Sequence, residues 1–250
     1  MKTFRADLHV HTVLSPCAEV EMIPPLIVQT ALENQIDIIA ITDHNASANV
    51  RAVQKAADGT GLTVLPGMEV QTHEDVHMLC LFASLLDLES WQHKVDLSLP
   101  DALNQPEHFG EQYIVDENGE YIRTETRLLL TATEFSIEEV IEQVAELGGL
   151  VIPAHVDRKS FGLFPTLGFL ADWWTFPALE ISRHITPETL HEKFPSSKNH
   201  PLIQSGDVHR LDEFLGTTHF EIEAPTVDEI TKAFCGENQR SVQIKRPKID

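Results

Sequence analysis

Short runs of β-forming apolar residues recur along this chain, and most of them end on a histidine, an aspartate or a glutamate. The clearest is IDIIAIT (36–42), which is almost uninterrupted by polar residues and leads straight into Asp43 and His44. A strand without polar alternation is one covered on both faces, as in a parallel sheet flanked by helices. ADLHVHT ends its run on His9 and His11, VIPAH on His155, and PLIQSGDVH on Asp207 and His209. In α/β barrels the groups at the carboxyl ends of the strands gather on one face. The pattern therefore predicts an α/β barrel and one shared site together.

The segments between the runs suit helices. Residues 24–34 begin with Pro24 and Pro25, where a missing N–H costs little. A helix is expected over 48–58, and another over 136–147, where Ser136 and Glu139 fit a capping box and Gly148-Gly149 a stop. Thr226 and Glu229 open one that reaches about residue 235. Strands are expected at 5–10, 62–70, 76–83, 149–155, 178–182, 201–207 and 218–223. Residues 87–135 break the alternation; Asn118-Gly119 between apolar residues predicts a hairpin with a type I′ turn. We read 1–250 as one domain with an insertion at 87–135, either a cap over the site or a peripheral packing element or oligomer contact.

Strand residues two apart point the same way, so His9 and His11 can grip one cation, as can Asp207 and His209. Asp7 shares the side of the first pair and is a candidate partner for it. Imidazole and carboxylate suit zinc, manganese and iron. Glu69 lies beyond Pro66-Gly67, where the chain is expected to turn, and a glutamate there can bridge two cations. His155 follows VIPA, an apolar setting that favours a neutral, metal-bound imidazole. His77 falls at the start of its run (VHMLCLFA) rather than at the end, which fits if that strand is antiparallel.

With 250 residues and a net charge of −21, the chain is large enough for one barrel and strongly acidic. The acidity makes long nucleic acid an unlikely partner, because such binding neutralises phosphates with Lys and Arg. No run approaches the roughly 18 apolar residues of a membrane helix, and the N-terminus enters a strand at once, so a cytoplasmic protein without a membrane partner is expected. The three cysteines form no CxxC pair. Cys80 and Cys235 are expected to pack in the interior; Cys17, in LSPCAE just after the HxH pair, is a candidate ligand.

The ordered series HVHT, TDHN, GMEV, the isolated His77, PAH and SGDVH resembles the PHP (polymerase and histidinol phosphatase) superfamily of metal-dependent phosphoesterases, over residues 5 to 210 apart from the insertion. The resemblance implies a distorted (β/α)7 barrel holding three divalent ions of zinc, manganese or iron. Carried over by motif, the first ion takes His9, His11, Glu69 and Asp207. The second shares Glu69 and adds His77 and His155. The third takes His44 and His209 with a further ligand from the loop after HxH, where this chain offers Cys17 or Glu19; Cys17 matches the spacing of histidine-bearing relatives. Asp43 is either a ligand or a group that orients one.

The function expected is hydrolysis of a small phosphate monoester, or a short nucleotide-type phosphoester, by a metal-activated hydroxide. Arg158, Lys159, Arg183 and Arg210 follow strand ends and can clamp phosphate, with Arg183 and Arg158 preferred; His184, just past ALEIS, is a further candidate. Two other readings compete. An amidohydrolase-type enzyme would use the same chemistry on amides or lactones, and a non-catalytic protein would only bind metal or phosphate.

Overall fold

A computed structural model describes residues 1–245. The elements run, in order, β1 (Lys2–Val10), α1 (Pro24–Glu33), β2 (Ile38–Ile41), α2 (Val50–Ala57), β3 (Thr63–Gln71) and β4 (His77–Leu81). Next come α3 (Leu85–Ser98), α4 (Pro106–Phe109), β5 (Tyr113–Val115), β6 (Tyr121–Thr124), α5 (Ile137–Glu146) and β7 (Leu150–Pro153). The chain continues with α6 (Leu163–Leu167), β8 (Leu179–Ile181), α7 (Pro187–Lys193), β9 (Leu202–Gln204), β10 (Thr218–Ile222), α8 (Val227–Cys235) and β11 (Ser241–Ile244).

The main sheet has the order β11-β10-β1-β2-β3-β4-β7. The run Ile38–Ile41 is wholly buried and lies parallel to both neighbours, β1 and β3, as its unbroken apolarity requires. β4 is antiparallel to β3 and to β7, which puts its first residue, His77, at the same end as the carboxyl ends of the parallel strands. Parallel β8 and β9 complete the ring. Val156 N donates to Glu180 O on one side; on the other, His11 N donates to Val208 O and Val208 N to His9 O. Seven strands (β1, β2, β3, β4, β7, β8, β9) thus curl into the distorted barrel, with β10 and β11 extending β1 outside it. Its interior is apolar, with Leu8, Ile38, Ala40, Leu79 and Ile152 all fully buried.

Several local expectations need correcting. Pro66-Gly67 is not a turn: β3 runs through it, and Gly67 is there because a Cβ would lie 2.9 Å from both Leu81 and Thr42 side chains. The first quarter of the 87–135 segment belongs to a regular helix, α3, capped by Ser84 and burying Leu88, Trp91 and Val95. The hairpin β5–β6 forms, but not on a type I′ turn. Gly119 has φ +82 while Asn118 is not left-handed, and Asp116 Oδ1 accepts the backbone N–H groups of Asn118 and Glu120. Cys235 is exposed, whereas Cys80 is buried as expected. Among the described residues no helix is long and apolar enough to cross a membrane.

Candidate metal centre

The carboxyl ends of β1, β2, β3, β7 and β9, together with the start of β4, deliver six imidazoles, two carboxylates and a thiol to one pocket. Around the first pair, His9 Nε2 lies 3.1 Å from His11 Nε2, 3.2 Å from Glu69 Oε1 and 3.3 Å from Asp207 Oδ1. His11 Nε2 is 3.4 Å from Asp207 Oδ1 and 3.5 Å from Glu69 Oε2. Donors about 2.1 Å from a tetrahedral ion stand about 3.4 Å apart, so these four groups have the spacing of a cation cage. Glu69 Oε1 also lies 2.8 Å from His77 Nδ1 and 3.2 Å from His155 Nε2, and its Oε2 lies 2.8 Å from His44 Nδ1. The third group joins His11, His44 and His209, with Cys17 Sγ 3.1 Å from His209 Nε2.

The surrounding partners fix the tautomers. His9 Nδ1–H donates to Glu180 Oε2 at 2.9 Å. Ser15 Oγ gives its proton to Asp43 Oδ1 (2.7 Å) and so accepts from His11 Nδ1–H (2.9 Å). With Nδ1 committed on both rings, the Nε2 atoms of His9 and His11 face each other, as a shared cation would require. Glu69 Oε2 is buried too, and although it lies 2.8 Å from His44 Nδ1 it meets no donor in hydrogen-bonding geometry. His209 donates through Nδ1 to Asp207 O at 2.9 Å, which turns its Nε2 to Cys17. The donor set fits divalent metal ions.

Opposing charges meet in the cluster. Burial would lower His9, but Glu180, Glu69 and Asp207 outweigh it and hold the ring well above the ordinary imidazole value, so a cation on Nε2 would replace a proton there. Burial would raise the Glu69 carboxyl, but the imidazoles of His77, His9 and His44 outweigh it and hold it well below the usual range. Burial, reinforced by His209 and His44, keeps His11 well below the ordinary imidazole value. Burial likewise brings His77 down to about 4, against the pull of Glu69. Burial would also raise the Cys17 thiol; His44 and His209 overcome it and bring the group down to about 6, within reach of a thiolate at neutral pH.

Not every candidate joins this group. Glu19 pairs with Arg210 at 2.8 Å on the surface, leaving Cys17 as the residue of its loop that faces the imidazoles. Asp7 turns away from them and accepts the N–H groups of Gly206 (2.8 Å) and Leu215 (2.9 Å), anchoring the loop that carries Asp207. The register of β1 against β2 shifts between Asp7 and Val10, which breaks the simple alternation that would align Asp7 with His9. Asp43 accepts from Thr12 N, Thr12 Oγ1 and Ser15 Oγ, so it orients His11 through Ser15. His155 and Asp207 have φ of +30 and +49, a strained backbone of the kind held at functional sites.

A cavity of about 530 Å³ opens beside the cluster and is lined by Arg158, Ser182, Arg183, His184 and Arg210. Arg158 pairs with Asp207 and is 43% exposed, so its remaining donors face the opening. Arg183 instead donates to the main-chain oxygens of Gly206 and Glu213, tying two loops together. His184 is exposed at the rim. A second cavity of about 390 Å³ reaches the cluster from the other side, past Phe109, Leu130 and Phe161.

Glu180 escaped the sequence reading. Besides His9 it accepts His155 N at 3.0 Å, and its Oε1 is buried with no partner. The signal was present: an acid in the middle of ALEIS, where burial of a lone carboxylate is costly.

The PHP domain family model matches residues 7–144, more than half of the chain. The chain belongs to the PHP domain family. It is 30% identical over 84 residues to the 5'-3' exoribonuclease Rnm of Salmonella typhimurium, a match covering 33% of this chain and 28% of that protein. Its fold is similar to the lesion-specific endonuclease PfuEndoQ of Pyrococcus furiosus (TM-score 0.70, 19% identity), over 96% of this chain and 58% of that one. A structure of Endonuclease Q with a 27-mer duplex bearing an abasic lesion at the active site gives a TM-score of 0.69, with the same identity and coverage. A two-domain protein of Bacteroides vulgatus containing a predicted PHP-like metal-dependent phosphoesterase matches at 0.54, with 15% identity, over 98% of this chain and 65% of that one. The chain thus spans a little over half of the endonuclease and a smaller part of the exoribonuclease. These PHP relatives share the curled α/β barrel.

Proposed function

We propose that this protein is a metal-dependent hydrolase of phosphoesters, acting on a nucleotide-type substrate and using three divalent ions of zinc, manganese or iron. The observation that carries the reading is the meeting of His9, His11, His44, His77, His155 and His209 with Glu69, Asp207 and Cys17 in one pocket with an open side. Divalent cations held there supply positive charge for the phosphate oxygens and acidify water for attack on phosphorus. His9, His11, Glu69 and Asp207 would hold one ion; Glu69, His77 and His155 a second; His44, His209 and Cys17 the third. Arg158 at the opening orients the phosphate. Glu180 and the Asp43–Ser15 pair keep the His9 and His11 lone pairs pointed inward, so the cage is preorganised.

The acidity of the chain argues less against nucleic acid than its composition suggests. Two relatives are nucleases by name, one of them seen with a DNA duplex, and Arg158, Arg183 and Arg210 line the opening of this site, each beside an acidic partner. Nucleic-acid ends belong within the proposed substrate class beside short nucleotides. The amide or lactone reading has weaker support: enzymes of that type often use a carboxylated lysine, and no lysine lines either cavity at the cluster.

The test is hydrolysis of bis-p-nitrophenyl phosphate and p-nitrophenyl phosphate by protein loaded with zinc, manganese or iron. Turnover should be metal-dependent and vanish in His9→Ala and Asp207→Ala. Activity that survives both substitutions, or none with any metal, rejects the reading.

A further inference from the structure

The 87–135 insertion reaches the metal pocket, and it brings apolar side chains there. Phe109, the last residue of α4, is 40% exposed and lines the 390 Å³ cavity together with Leu130, facing His44, His77 and His155. Its place is set by a close approach. Gly110, at φ +99, sits where a Cβ would fall 2.0 Å from Pro16 O, so α4 ends against the loop that carries Cys17. Tyr113 N donates to Val13 O, binding the insertion to that same loop. From the other side Phe161, also left-handed at φ +61, stacks on His77 with centroids 4.4 Å apart and planes 4° from parallel. Two separate segments thus spend a strained or glycine-only backbone to hold rings at the cluster's apolar side.

We propose that this cavity is a base subsite: Phe109 and Leu130 of the insertion, with Phe161, receive the nucleobase next to the scissile phosphate. The inference rests on the phosphoesterase reading and names the substrate of that site. A sugar or a free phosphate would need polar partners here; outside the cluster the cavity offers Arg158, which pairs with Asp207 where the two cavities meet, and Gln71, which already donates to Asp75. A planar, apolar-faced heterocycle matches the wall, and the volume lies in the range of small-molecule sites, about 300–1,000 Å³. The adjoining polar cavity, which shares Arg158 with this one and adds Arg210, takes the sugar-phosphate side. A substrate so placed has groups on both sides of its phosphorus, as in a phosphodiester.

The test compares thymidine 5′-(p-nitrophenyl phosphate) with methyl p-nitrophenyl phosphate, both diesters with the same chromophore, on metal-loaded protein. The wild type should favour the thymidine ester in kcat/KM, mainly through KM. Phe109→Ala should cut that preference on the order of ten-fold, the size of one base–aromatic stack. Leu103→Ala, at an exposed position of the insertion away from the cavity, should keep the preference. Equal wild-type use of the two esters, or a preference unchanged in Phe109→Ala, overturns the base subsite while leaving the phosphoesterase reading intact. If neither ester is turned over, p-nitrophenyl phosphate decides the phosphoesterase reading, and no turnover of it either rejects that reading. The subsite is then judged by calorimetry with thymidine 5′-monophosphate and ribose 5-phosphate. A preference for the nucleotide that Phe109→Ala removes supports it, and equal binding overturns it.

Discussion

His9 shows how one side chain at this site depends on another. Its Nδ1–H is held by Glu180, which leaves Nε2 free for a cation and makes the ring a stronger donor. Glu180→Gln keeps the shape but can present an N–H where His9 needs an acceptor. Loss of such a carboxylate partner typically costs 10- to 100-fold (about 1.4–2.7 kcal/mol) in metal affinity. Metal retention after dialysis, measured by elemental analysis, should fall in Glu180→Gln by at least one ion per chain; full retention would show that Glu180 does not position His9. Cys17 makes a separate prediction. A thiolate favours zinc over manganese, so Cys17→Ser should shift uptake from an equimolar zinc–manganese mixture toward manganese. An unchanged ratio would place Cys17 outside the third ion's shell. The ligand candidates were legible because HxH, DxH and the strand-end histidines announce themselves within a few residues. Glu180 was not, because its partner lies 171 positions away and only closure of the ring joins them. Asp7 was misplaced for a related reason: two-residue alternation fails where β1 loses register.

At the level of elements, the segments with strong local signals formed as read: β2 from its apolar run, α5 from its capping box, and α1 behind its two prolines. Among the elements that went unread, α4, α6, α7 and β11 are short, and α3 was hidden because its helical stretch opens a segment read as an insertion. Two junctions between elements can be tested. Gly110→Ala would press a Cβ into Pro16 O and force left-handed backbone on alanine. Overpacking of this kind costs about 1–3 kcal/mol, so denaturant unfolding should show that loss, and proteolysis within 99–135 should quicken. Wild-type stability would mean that the insertion does not lean on the Cys17 loop. The second junction ties α8 to the start of β11. Arg240 donates twice to Glu229, at 2.8 and 2.9 Å, and Glu223 N donates to the same carboxylate. These bonds, Arg240's first, bring the Glu229 carboxyl from 4.5 down to about 2. A depressed carboxylate stabilises the fold above its unfolded value and loses that contribution as pH falls through the folded one. The Tm gap between wild type and Glu229→Gln should therefore be constant above about pH 6 and shrink steadily from pH 4.5 toward 2. A gap that widens on acidification would contradict the pairing.

Across the whole molecule, the barrel concentrates buried, poorly satisfied polar groups at one end: the Nε2 atoms of His9 and His11 face each other, and Glu69 Oε2 meets no donor in hydrogen-bonding geometry. Such a cluster opposes folding unless cations fill it, and the strained backbones of His155 and Asp207 add to the opposition. Metal binding and stability should then be linked throughout the barrel, because the proposed ligands come from β1, β2, β3, β4, β7 and β9, six of the seven strands of the ring. An ion present at 100 times its Kd adds about 2.7 kcal/mol per site, and in a chain of this size each kcal/mol moves Tm by about 2–4 °C. Titrating chelator-treated protein with zinc or manganese should raise Tm by about 5–11 °C for each tight site filled. Asp207→Ala should lose part of that rise. Glu19→Ala should keep all of it, since Glu19 pairs with Arg210 outside the cluster. An equal rise in all three proteins would move the metal to some other place in the molecule, and no rise with any divalent ion would leave this end of the barrel without the ligand its side chains are arranged to hold.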